Sequence, residues 1–163
     1  VNGFFARAAI DVKSYKTFNH ELFGLTHLAL DEDKGNYDFR EIYNPNTGQP
    51  DGGYQDWGKS RRNFHWASCK LQTWSATAYI SMVLNGLFGL RFSADSLSFA
   101  PYLPGKISSV ELEDLNYRDS KLDIKITGKG NSIDSFKVDG ENQTEYSIPS
   151  ALEGDHKIVI NLK

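Results

Sequence analysis

An α+β fold follows from two patterns along the 163 residues. Apolar residues recur at three- and four-residue steps near the start, and an uncharged stretch runs from Leu71 to Leu90; both are marks of helix. Beyond Gly89 apolar and polar residues alternate, as half-buried strands require. The expectation is a helical first part interrupted by a long loop, then a small antiparallel β-sandwich.

Phe4, Phe5, Ala8, Ala9 and Val12 predict a first helix, and Leu22, Leu25, Leu28 and Ala29 a second. Thr17 lies four residues before Glu21, one too many for a capping box, so the second start is placed loosely near Ser14 to Thr17. In the uncharged stretch Leu71, Trp74, Ala78, Met82 and their neighbours are apolar on nearly every side, which predicts a helix surrounded by others. Trp74 and Trp66 read as core residues. A membrane span would have about this length, but Gln72, Thr73, Ser75, Thr77, Ser81 and Asn85 argue against one. Two short helices cannot surround such a segment, so its other partners are expected on further sequence or in another subunit. The opening at Val1, with no signal-like region, fits a piece of a longer chain.

The segments "SVELEDLNY" (109 to 117), "KLDIKITG" (121 to 128), "SFKV" (135 to 138) and "HKIVINL" (156 to 162) are the expected strands. Asn116 to Ser120, Gly128 to Gly130 and Asp139-Gly140 supply the turns, the last a hairpin pair.

From Asp31 to about Ala67 no period survives, and seven glycines and prolines from Gly35 to Gly58 argue against any regular element. A loop of this length is uncommon in a compact domain, and its seven aromatics argue against disorder. Glu41, Tyr43, Tyr54, Trp57 and Trp66 give it a polar-aromatic surface suited to flat hydroxylated ligands, since a ring covers the C–H face of a sugar while carboxylates and amides bond its hydroxyls. Carbohydrate is the expected ligand. "DEDKGNYD" at 31 to 38 is not an EF-hand loop: Asn36 and Ile42 stand where glycine and glutamate are needed.

A net charge of −3 and no basic run longer than "KSRR" at 59 to 62 give no footprint for nucleic acid. The lone Cys69 reads as a small buried packing residue. His20, His27, His65 and His156 make no metal-ligand spacing, and no nucleotide-binding glycine motif or serine or cysteine nucleophile motif occurs. Carboxylate chemistry remains, on Glu41, Asp51 and Asp56.

"NGFFARAAID", "FREIYNPNTGQP", "LQTWSATAYISMVLNGLFGLRF" and "LSFAPYLP" together resemble the C-terminal part of the six-hairpin glycosidases, above all glycoside hydrolase family 63, the processing α-glucosidase I and its bacterial relatives. The resemblance spans essentially the whole chain, and the string E-x-Y-N-P-x-T-G at 41 to 48 is its most specific part. It implies the last helices and active-site loop of an (α/α)6 barrel over residues 1–96 and a β-sandwich over 97–163. It also implies inverting hydrolysis of an oligosaccharide or polysaccharide with no cofactor, in a periplasmic or secreted setting; the charge, the histidine spacing and the polar residues above already argue against nucleic acid, metal and membrane. Glu41 inherits the role of catalytic base, and Tyr43, Tyr54, Gln55, Asp56 and Trp57 are the candidate substrate-binding residues. The general acid is an aspartate earlier in the barrel, outside this chain, so the chain alone is expected to be inactive. The insertion "QPDGGYQDWGKSRRN" departs from the family 63 pattern. A non-catalytic carbohydrate-binding or scaffolding module and a six-hairpin sugar phosphorylase, with Lys59, Arg61 and Arg62 as its basic residues, are the competing readings.

Overall fold

The computed structural model describes residues 2–56 and 63–163, without the side chains of residues 55, 56, 63 and 64. Two compact units divide the chain, residues 1–81 and 82–163. The sequence placed a boundary at 96/97, yet strands of the second unit already begin at Leu90.

The first unit opens with helices α1 (Asn2–Asp11) and α2 (Tyr15–Leu30), with Ser14 at the α2 N-cap. Phe18, Leu22, Leu25 and Ala29 form the buried stripe of α2, the face that the spacing predicts. In α1 the buried residues are Ala6, Ala9 and Ile10, whereas Phe4, Phe5 and Val12 are exposed. Gly3 lies where α1 crosses helix α3 (Thr73–Ser81) closely: a Cβ on Gly3 would lie 2.5 Å from the Ala78 Cβ.

The uncharged stretch is not one long α-helix. It is α3 followed by a π-helical segment, Met82–Leu87. No residue of α3 is buried, and Trp74 is 64% exposed, against its reading as core. Apolar character all round a helix describes what it can bury, not what covers it. Among the described residues no helix is long and apolar enough to cross a membrane.

The stretch read as irregular contains an antiparallel hairpin, β1 (Asp51–Asp56) with β2 (Asn63–Ala67). Its register slips between Asp51, opposite Ala67, and Tyr54, opposite His65, so Gly52 and Gly53 together stand across from Trp66 as a bulge. Gly53 is in the left-handed region, φ +71°. Two glycines and three polar residues among the six of β1 leave no alternation to read, and pairing alone makes it a strand.

In the second unit a three-stranded sheet, in the order β3 (Leu90–Phe92), β4 (Ser96–Phe99), β9 (Ser147–Pro149), accompanies a five-stranded sheet. The latter runs β5 (Ser109–Tyr117), β6 (Ser120–Thr127), β10 (Gly154–Leu162), β7 (Ile133–Val138), β8 (Glu141–Asn142). Leu122, Ile124 and Ile126 of β6 and Ile158, Ile160 and Leu162 of β10 are buried at every second position, as the alternation requires. Phe99 of one sheet meets Phe136 of the other at 5.3 Å between ring centroids, so the two apolar faces share a core. The sandwich is thus mixed and not wholly antiparallel: β10 pairs parallel with β6 and antiparallel with β7. Alternation is the same in both kinds of ladder; the chain path decides, because after β8 the chain crosses to β9 in the three-stranded sheet before β10 returns to lie between β6 and β7.

Candidate active site in the first unit

Glu41 is placed by a short ladder between two irregular segments. Leu71 N–H donates to Asp38 Oδ2 at 2.8 Å, Gln72 N–H to the Phe39 carbonyl at 2.9 Å, Glu41 N–H to the Cys69 carbonyl at 3.0 Å and Ile42 N–H to Ser68 Oγ at 2.9 Å. Residues 38–42 therefore run antiparallel to 68–72, at the start of α3. The Phe39 ring lies 5.2 Å from that of Tyr79, whose hydroxyl accepts a bond from Thr26 of α2 at 3.0 Å.

The rest of the E-x-Y-N-P-x-T-G string is a closed turn. Asn44 Oδ1 accepts the N–H groups of Asn46 (2.9 Å) and Thr47 (3.2 Å), and the Asn44 carbonyl accepts Gly48 N–H at 2.8 Å. This is the side-chain mimicry of a backbone turn to which asparagine is suited. The Tyr43 hydroxyl donates to the Asp38 carbonyl at 3.3 Å and accepts Arg40 N–H at 3.4 Å, and burial holds the phenol above its ordinary pKa. Within the string Glu41 is the ionisable carboxylate, and Asn44, Thr47 and Gly48 shape the backbone that presents it.

Two N–H groups converge on one oxygen of that carboxylate. Trp66 Nε1–H donates to Glu41 Oε2 at 3.1 Å, and Cys69 N–H approaches the same oxygen at 3.5 Å. The Trp66 bond, with help from Cys69 and against some desolvation, holds Glu41 below the usual glutamate pKa. The carboxylate in turn, by hydrogen bond and by charge, pushes the Cys69 thiol up and keeps it neutral. Cys69 is exposed, not the buried packing residue expected, because the ladder holds it against Glu41. The Trp66 indole, read as core, is a polar anchor of the site.

The hairpin brings together a second group that spacing did not suggest. His65 Nε2 lies 2.7 Å from Asp51 Oδ1, which also accepts Gly53 N–H at 2.7 Å. The Tyr54 and His65 rings meet edge to face with centroids 5.4 Å apart, and Tyr54 is 78% exposed. Asp51, Tyr54 and His65 thus form an exposed polar-aromatic strip; a strand pair with one extra residue in one arm brings 51 beside 65, and no single-strand pattern shows it. Gln55 and Asp56 lie on β1, with side chains outside the described residues, as are Trp57, Lys59, Arg61 and Arg62. Among the described residues no group of His, Cys, Asp and Glu is arranged to hold a metal.

Residues 90–149, from β3 through β9, match the model of the glycosyl hydrolase family 65 C-terminal domain. The match supports a chain related to the glycoside hydrolases of the six-hairpin type, and not family 63 in particular. It lies within the second unit, so Glu41 and its neighbours are outside it. No curated protein matches the chain.

Proposed function

We propose that the chain is the C-terminal part of an inverting, α-glucosidase-like glycoside hydrolase in which Glu41 is the general base. The observation that carries this reading is the Glu41 carboxylate, kept ionised by the Trp66 indole on Oε2 and presented by a pinned, closed turn. An ionised, oriented carboxylate is what a base must be before it takes a proton from water. Inversion requires a carboxylic acid roughly 6.5–9.5 Å away on the other side of the sugar, and in this reading that acid belongs to an earlier part of the barrel. Water attacks the anomeric carbon while Glu41 removes its proton, and the acid protonates the departing glycosidic oxygen.

Tyr54 offers a sugar-stacking face and the Asp51–His65 pair hydroxyl-bonding groups beside it; Tyr43, Gln55, Asp56 and Trp57 complete the proposed subsite, Tyr43 with its ring. The exposed Phe4, Phe5, Val12, Trp74 and Ile80 support packing of these helices against further barrel helices. A phosphorylase is also compatible with the family match; phosphate would then replace water, and Lys59, Arg61 and Arg62 would serve it.

In the complete enzyme Glu41→Ala lowers turnover of an α-glucoside by about 10²–10⁴-fold, whereas Asp51→Ala and Asp56→Ala give milder losses seated in KM. Near-normal turnover in Glu41→Ala overturns the assignment. Turnover that depends on added phosphate moves the reading to the phosphorylase.

A further inference from the structure

We propose that Trp66 is the positioning residue of the base: its indole N–H, seated by the Gly52–Gly53 bulge, fixes one oxygen of the Glu41 carboxylate so that the other is presented to the attacking water. The inference rests on the assignment of Glu41 above. A glutamate side chain on an irregular segment has three rotatable bonds and two equivalent oxygens, so an ionised Glu41 alone would spread over many poses. The bond from Trp66 Nε1 to Oε2, at 3.1 Å, removes that freedom before substrate arrives.

The indole is itself held. Gly52 lies beneath it so closely that a Cβ there would be 2.8 Å from Trp66 Cδ1 and 3.0 Å from its Cβ. Only a residue without a side chain lets the ring lie down on β1. The bulge that puts two glycines across from Trp66 is pinned by Asp51 Oδ1, which takes both Gly53 N–H and His65 Nε2 at 2.7 Å. The Asp-Gly-Gly of β1, the indole of β2 and the carboxylate of residue 41 form one chain of contacts. Among the described residues Cys69 is the titratable group acting on Glu41, and its thiol stays neutral while Glu41 is charged.

Three measurements test this. In the present chain the ¹H–¹⁵N resonance of the Trp66 indole should move with pH as Glu41 titrates, and Glu41→Ala should abolish the movement. In the complete enzyme Trp66→Phe should lower kcat about 10–100-fold, the scale of a small misplacement of a reacting group, with KM little changed. The acid limb of kcat/KM should also move to higher pH, because the strongest donor to the carboxylate is lost while its desolvation remains. Gly52→Ala keeps the indole but displaces it and should shift the limb the same way. An indole resonance that ignores Glu41, or a folded Trp66→Phe enzyme with an unmoved acid limb, overturns the proposal. Should Trp66→Phe fail to fold, the indole titration and Gly52→Ala decide. If Glu41→Ala is inactive and Trp66→Phe behaves as wild type, only this inference fails; if Glu41→Ala keeps its turnover, the base assignment fails with it.

Discussion

A partly exposed carboxylate such as Glu41 contributes little to stability, and its hydrogen bonds to Trp66 and Cys69 serve to orient it and keep it charged. Asp51 is the contrasting case: its two short contacts act on the hairpin that carries Tyr54 and Trp66. Both partners of the Asp51–His65 pair are more than a third exposed, so solvent screening keeps the pair modest. Asp51→Ala should cost about 0.5–1 kcal/mol, seen as faster amide exchange in β1 and β2 with the α2 amides unchanged; equal loosening of α2 would show that the pair supports the whole unit. Glu41 was legible as a candidate because it opens a distinctive string. The Trp66–Glu41 bond was not, since it joins residues 25 apart in sequence through a ladder and a bulge that leave no period. Cys69 was misread for the same reason: an isolated cysteine carries no mark of the carboxylate beside it.

At the level of elements, helix α2 and strands β6 and β10 could be read in advance because each buries one face of its own period. The Asp139-Gly140 hairpin was legible as well. Its two residues have φ of 51° and 89°, the paired left-handed conformation that this dipeptide tolerates. The inward face of α1 was not legible, since Ala6, Ala9 and Ile10 are buried in place of the larger Phe4 and Phe5, and the close approach to α3 falls at Gly3. Gly3→Leu should therefore separate α1 from α3 and lower the melting temperature, whereas the exposed Phe4→Ser should be close to neutral; similar melts for the two would contradict the crossing. In the second unit Phe136 is 1% exposed and packed on Phe99, and Phe136→Ala should destabilise it by about 3–5 kcal/mol in chemical denaturation.

At the scale of the whole molecule, the second unit should have a pH dependence of its own, set by the His156–Asp139 pair. The ring nitrogens face two acceptors, Asp139 Oδ2 at 2.6 Å from Nδ1 and the Glu153 carbonyl at 2.9 Å from Nε2, so only the charged imidazolium donates to both. The Asp139 bond chiefly raises the His156 pKa. Asp139 is lowered, first by Lys157 N–H and then by His156. The His156 contribution is complete below the unfolded histidine pKa near 6.5 and fades as pH rises through the higher folded value. The Asp139 contribution is complete above the unfolded aspartate pKa near 3.9 and fades as pH falls through the lower folded value. The second unit should gain most from the pair between roughly pH 4 and 6.5. Melts of wild type and His156→Gln should differ most in that window and converge at alkaline pH; a constant difference would contradict the charged pair.

Chemical rescue of Glu41→Ala in the complete enzyme tests the role of the base most directly. Azide needs no proton removed, so with an activated α-glucosyl substrate it should restore turnover and yield the β-glucosyl azide, the product of inversion. No rescue with near-normal hydrolysis by Glu41→Ala, or a rescued product of retained configuration, would contradict Glu41 as the base of an inverting reaction.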